Sequence, residues 1–160
     1  MNTPRRFALK KIAASVAGAV GLGFLANAGT NGDAVKSETA KGKEVFNVSD
    51  DQGVPLFSGA TKFNGMVFIA GQGAHFEGDI KSHTDHVLKE LEKQLLASGS
   101  SMEKVLKVNV YLNDIEDYKG MNEVFQGRFG KKPPVRTTVA VAKSGVPGNS
   151  LVEMDCIAFV

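Results

Sequence analysis

The sequence predicts an α+β domain: a single mixed β-sheet, element order βββαβαββ, with two helices packed on one face. Three observations predict it. Short β-branched and apolar runs recur between residues 44 and 160 and are interrupted by only two segments of helical spacing. Asn64-Gly65 separates two of the runs, and Asn-Gly is the strongest short hairpin signal. Each helical segment is followed by a glycine stop, Gly99 and Gly130. With 160 residues, 42% of them hydrophobic, the chain is long enough for one domain with a real core.

Taken in order, Glu44-Val45-Phe46-Asn47-Val48 reads as a first strand ended by the turn-prone Ser49-Asp50-Asp51. Pro55 to Ala60 leads into a second strand that stops at Asn64-Gly65. Met66-Val67-Phe68-Ile69-Ala70 follows as a strand buried on both faces and ends at Gly71-Gln72-Gly73. The first helix spans Ile80 to Ser98, its apolar stripe made by Val87, Leu88, Leu91 and Leu95, with Asp79 as cap. Val105 to Leu112 alternates Val108, Val110 and Leu112 with Lys107, Asn109 and Tyr111, as a half-buried strand does. The second helix is expected from Ile115 to Phe129, with Tyr118, Met121, Val124, Phe125 and Phe129 apolar. Leu151 to Val160 closes the chain as a strand.

The run Pro133 to Val141 carries the sequence's most informative conflict. Its β-branched residues make a strand in which Val135, Thr137, Val139 and Val141 share one face and Arg136, Thr138 and Ala140 the other. A guanidinium there is costly to bury without an anion, and its planar fork suits a carboxylate. Arg136 therefore reads either as half of a structural ion pair or as the anchor of an anionic ligand.

The N-terminus has a different character. Residues 1–28 combine a basic start (Arg5, Arg6, Lys10, Lys11), an apolar stretch from Ile12 to Leu25 and an Ala26-Asn27-Ala28 cleavage pattern. The paired arginines resemble a twin-arginine export signal, with Ala8 where a bulkier residue is usual. The expectation is an export signal peptide over 1–28, a flexible leader over 29–43 and a domain over 44–160 that lies in the periplasm or is secreted; an uncleaved anchor is the alternative. The apolar run is short and rich in Gly and Ala, so no stable membrane span is expected after cleavage. The formal charge of +2 is set by this segment: the rest of the chain holds 15 basic and 17 acidic residues. A mildly acidic body argues against a sequence-independent grip on nucleic acid.

Other chemistry-bearing residues are less specific. A single cysteine, Cys156, excludes an intrachain disulfide framework and reads as a small buried strand residue. His83 and His86 are three apart on the first helix, but neither they nor His75 complete a ligand set, so no metal is expected. Gly71-Gln72-Gly73 is followed by no phosphate-loop pattern and reads as a tight turn with room for close approach.

Six segments in register resemble the RidA (YjgF/YER057c/UK114) family. Pro55 to Ala60 is similar to its Pro-Tyr-Ser-x-Ala/Gly element, with Phe57 where tyrosine is usual and Leu56 as an insertion. Val67 to Gln72 resembles its Val-Phe-Val-Ser-Gly-Gln strand, and Val105 to Asp114 its Val-x-Lys-x-x-Val-Phe-x-x-Asp segment. Asn122 falls on its helix asparagine, Pro134 to Thr138 on Pro-x-Arg-Ser/Thr, and Val152 to Ala158 on Ile-Glu-Ile-Glu-x-Ile-Ala. The similarity spans Phe46 to Val160.

The resemblance implies a chorismate-mutase-like, YjgF-like fold and a homotrimer with sites between subunits. It implies hydrolysis of 2-enamine or 2-imine acids, such as 2-aminoacrylate and 2-iminopropionate, to 2-keto acids and ammonia, without cofactor or metal. Carried over, Arg136 binds the substrate carboxylate and Glu153 positions a water, while Phe57, Ser58, Gly71, Asn122 and Thr138 line the site. Thr138 stands where many members have cysteine, and His83 where they usually have glutamine. The implied partner is a small 2-imino or 2-keto acid, with no nucleic acid. A non-catalytic small-carboxylate binder or chaperone-like trimer is the alternative, and an endoribonuclease a further one.

Overall fold

The computed structural model describes residues 42–160. The export segment expected over 1–28, and all but the end of the leader expected over 29–43, lie outside the described residues. The expected order is found: β1 (Glu44–Asp51), β2 (Val54–Phe63), β3 (Met66–Gln72), α1 (Ile80–Ala97), β4 (Val105–Leu112), α2 (Tyr118–Phe125), β5 (Val135–Ala140) and β6 (Val152–Phe159). The six strands form one sheet in the order β1-β2-β3-β6-β4-β5. Only β4 and β5 pair in parallel, and α2 supplies the crossover that such a pair requires.

Both hairpins use primed-type turns. Asn64 and Gly65 have φ of 47° and 75°, as the Asn-Gly signal predicts. The first hairpin turns at Gln52-Gly53, with φ of 51° and 80°, so β1 runs on through Ser49-Asp50-Asp51 instead of stopping there. β1 is an edge strand, and its exposed aspartates cost nothing in burial while blunting the edge.

One face of the sheet carries the core. Val67 and Ile69, Val108, Val110 and Leu112, and Val152, Met154, Cys156 and Ala158 all point to the helices and are buried. Val87, Leu88, Leu91 and Leu95 of α1 meet them, the stripe expected from the sequence. The Asp79 carboxylate caps α1 by accepting from the Ser82 backbone N–H at 2.8 Å. Gly99, at φ 81°, ends it.

The second helix is shorter than expected. A 3-10 turn over Ile115–Asp117 precedes α2, which stops at Phe125 and not at Phe129. Gly127, at φ 80°, leaves the helical region three residues before Gly130 does. Arg128 beyond it donates to Asp85 of α1 at 2.7 Å, and a Cβ at Gly120 would crowd Ile80, so the helices are closely docked. Among the described residues no helix is long and apolar enough to cross a membrane.

Candidate active site

β5 is an edge strand whose two faces alternate as the sequence predicts. Val135, Thr137 and Val139 point away from the helices, and Val135 is 69% exposed. Arg136 is in register with the buried Val108, so it points to the helix side, over α2. Tyr118, Met121 and Phe125 lie at i, i+3 and i+7 of that helix and form one face beneath it. The guanidinium carbon is 4.6 Å from the centre of the Phe125 ring and 5.7 Å from that of Tyr118. Nη2 donates to the Tyr118 hydroxyl at 3.3 Å, and Nη1 points at the Met121 sulfur at 4.0 Å.

Every one of these neighbours is neutral. Among the described residues the ion pairs are Lys62–Glu44, Lys81–Glu123, Lys89–Asp85, Lys93–Glu90 and Arg128–Asp85, and none includes Arg136. The structural ion pair is therefore not what holds this arginine within the chain. Two residues on, the Thr138 hydroxyl is buried and has no hydrogen-bond partner among the described residues. A buried hydroxyl left without any hydrogen bond costs about 1–3 kcal/mol, so a polar partner from outside the described residues suits this place. Asn122, half buried, is at i+4 from Tyr118 and lies on the same side of α2.

Glu153 occupies a different place. It is in register with Tyr111, on the face of the sheet opposite Arg136. A register shift between Ile69 and Gln72 brings Gly71 against it, and a Cβ at Gly71 would overlap the Glu153 carboxylate. The glycine is what leaves the carboxylate its position. Next along β6, Asp155 accepts from the Asn109 amide at 2.8 Å and from the Tyr111 hydroxyl at 3.0 Å. Desolvation, and then that bond to Asp155, push the Tyr111 phenol above its ordinary pKa. Tyr111 and Glu153 open onto a cavity of about 150 Å³ walled by Val141, Gly145, Val146 and Pro147.

Phe57 and Ser58 line a third place, a cleft of about 540 Å³ at the β1–β2 end of the sheet. Four strand spacings separate β2 from β5, about 19 Å. A single chain thus gathers Arg136, Thr138 and Asn122 in one group and Glu153 with Gly71 in a second, leaving Phe57 and Ser58 in a third. It does not bring Arg136 and Glu153 together.

The histidines are engaged elsewhere. His83 is buried, with Nδ1 accepting from Leu151 N–H at 3.1 Å and Nε2 2.9 Å from the Phe76 carbonyl, so that nitrogen carries the proton. The Phe76 ring stands edge-on to both His83 and His86. Among the described residues no three His, Cys, Asp or Glu side chains gather as a metal site would require.

Sequence reading missed the roles of Tyr118, Tyr111, Asn109 and Asp155. Tyr118 was expected in the apolar stripe of the second helix and instead is 43% exposed and bonded to Arg136. The alternation of Asn109 and Tyr111 on β4 was legible, but their partner lies some 45 residues away on another strand.

Comparison with known proteins places this geometry. Residues 53–160 match the family described as endoribonuclease L-PSP. The chain is 36% identical over 122 residues to a RutC family protein of Pyrococcus abyssi, covering 72% of this chain and 94% of that one. It is 33% identical over 109 residues to the chloroplastic Reactive Intermediate Deaminase A of Arabidopsis thaliana, covering 64% of this chain and 57% of the relative. A solved member of the YjgF/YER057c/UK114 family from Mycobacterium tuberculosis superposes with a TM-score of 0.64 at 27% identity, over 74% of this chain and all of that one. The six-stranded sheet, the two docked helices and the matched 108 residues agree, and the chain belongs to the endoribonuclease L-PSP (YjgF/YER057c/UK114) family.

Proposed function

We propose that this chain is a cofactor-free deaminase that hydrolyses 2-enamine and 2-imine acids to 2-keto acids and ammonia. One observation carries the reading: Arg136 is fixed by three neutral side chains, pairs with no carboxylate among the described residues, and stands beside the unpartnered Thr138 hydroxyl. The guanidinium fork and the hydroxyl on one strand face suit a ligand with a carboxylate and an adjacent polar atom. The Arabidopsis relative's name supports the same chemistry.

In this reading the substrate carboxylate lies on the Arg136 fork, which fixes orientation as well as affinity. The C2 nitrogen is held near Thr138. Glu153 orients a water toward C2; the water's oxygen bonds to carbon as its proton passes through Glu153 to nitrogen. A 2-enamine acid enters this step as its imine tautomer, a proton having moved from nitrogen to C3. In the carbinolamine the hydroxyl proton then passes through Glu153 to the amino group as the C–N bond breaks, so that ammonia leaves and the keto acid remains. Arg136 and Glu153 lie on opposite faces of one chain, so the reading includes a homotrimer in which each site takes its Arg136 half from one copy and its Glu153 half from the next. The N-terminal segment supports work outside the cytoplasm.

The test is pyruvate release from freshly generated 2-aminoacrylate. The wild type should exceed buffer, and Arg136→Ala should lose about 100-fold in kcat/KM, the scale of two charge-assisted hydrogen bonds. Binding of 2-keto acids without turnover would replace the enzyme with a carboxylate-binding protein. RNA cleavage that survives rigorous purification, with no effect on 2-aminoacrylate, would support the nuclease reading in the family's description.

A further inference from the structure

We infer that Tyr118 is the second arm of the anion anchor in this chain, donating its phenolic O–H to the carboxylate that Arg136 binds. The inference rests on the carboxylate reading of Arg136 and adds a residue to it. The Tyr118 oxygen accepts from Arg136 Nη2 at 3.3 Å, so the hydroxyl proton points elsewhere. No acceptor for that proton is found among the described residues, and the side chain is 43% exposed on the open side of α2. Accepting from a cation polarises the O–H and makes it a stronger donor. An oxygen bound to the guanidinium fork therefore meets a third donor from the phenol.

Other side chains already supply most of the packing around Arg136. Phe125 and Met121 already hold the flat face and the far edge of the guanidinium, at 4.6 and 4.0 Å. Tyr118 contributes the one hydrogen-bonding oxygen of the group, and it does so at the solvent-facing end. Its hydroxyl also restrains the fork about the last side-chain torsion, which orders the three remaining N–H donors before a ligand arrives.

The chain has two tyrosines and no tryptophan, so tyrosine fluorescence reports on Tyr111 and Tyr118 alone. The experiment is titration of the full chain with 2-oxobutanoate, by calorimetry and by tyrosine fluorescence, for wild type and Tyr118→Phe. The variant keeps the ring and loses only the hydroxyl. Expected is a Kd about 10-fold weaker, in line with the loss of one hydrogen bond to a charged group, with the melting temperature held. At ligand saturation the variant should lose the Tyr118 share of the wild type's fluorescence change and keep the share from Tyr111.

A variant that binds as the wild type does overturns the inference, as does one whose melting temperature falls while its Kd stays. If the wild type binds and turns over substrate while Tyr118→Phe matches it, only this inference fails. If the wild type binds no 2-keto acid, the functional reading fails with it.

Discussion

An arginine seated on a phenyl ring, a thioether and a phenol meets no opposing charge among the described residues. Residue chemistry alone made Arg136 conspicuous, because a cation in a β-branched run needs an anion. Its neutral surroundings support the proposed ligand over a partner within the described residues. Cys156 is the opposite case. It is 1% exposed, packed against the helices, and burial pushes its thiol from 9.0 up to about 12. Below pH 9 the thiol is neutral in both folded and unfolded chains and has no pH-dependent effect. Between 9.0 and about 12 only the unfolded chain gives up the proton, so stability falls as pH rises through that window, by about 1.4 kcal/mol per unit at most. Chemical denaturation from pH 8 to 11 should therefore show a steeper decline for the wild type than for Cys156→Ala. A thiol-reactive chromophore should label the native protein only as fast as it opens. Labelling at the rate of a free peptide thiol would contradict the burial.

At the scale of elements, His83 links pieces that the hydrophobic pattern does not. Its two nitrogens join the Phe76 carbonyl, in the loop after β3, to the Leu151 N–H at the entry to β6. Ser150 strengthens the same junction, accepting from Ala74 N–H at 2.9 Å and donating to the Val152 carbonyl at 2.6 Å. His83→Ala would leave two backbone groups unpaired in a buried setting and should cost about 2–4 kcal/mol, read as a lower urea midpoint at unchanged slope. His83→Gln, with both a donor and an acceptor, should lose less; equal losses for the two would mean that volume and not hydrogen bonding matters there.

What was legible in the sequence follows the same division between local and distant causes. The α1 stripe and its caps depend on neighbours within four residues, so Asp79, Val87, Leu91 and Gly99 announced them. The apolar pattern overextends α2 because Phe129 keeps helical spacing with Tyr118, Met121, Val124 and Phe125 across Gly127, whose left-handed backbone overrides the pattern. Likewise, Ser49-Asp50-Asp51 has turn composition, yet the hairpin forms at Gln52-Gly53 because the edge strand tolerates charge.

For the molecule as a whole, the illegible part was register across strands. The family resemblance implied Arg136 and Glu153 as the two charges of a site, and alternation within each strand agrees with the structure. Which face of β5 matches which face of β6 depends on pairings through β4, and these put the two residues on opposite sides. Family resemblance alone suggested that separate copies meet, and the geometry gives that suggestion a physical motive. In the proposed trimer, a closed ring in which each copy joins the next through unlike surfaces, every Arg136 half would face a neighbour's Glu153 half. Arg136→Ala chains and Glu153→Gln chains should then each be inactive alone. When they are unfolded together, refolded and allowed to mix at random, a site is whole only where its Arg136 half comes from one variant and its Glu153 half from the other. That combination arises in about one site in four, so about a quarter of wild-type activity should return. If each site were built within a single chain, mixing would return none, because every chain in the mixture carries one of the two lesions.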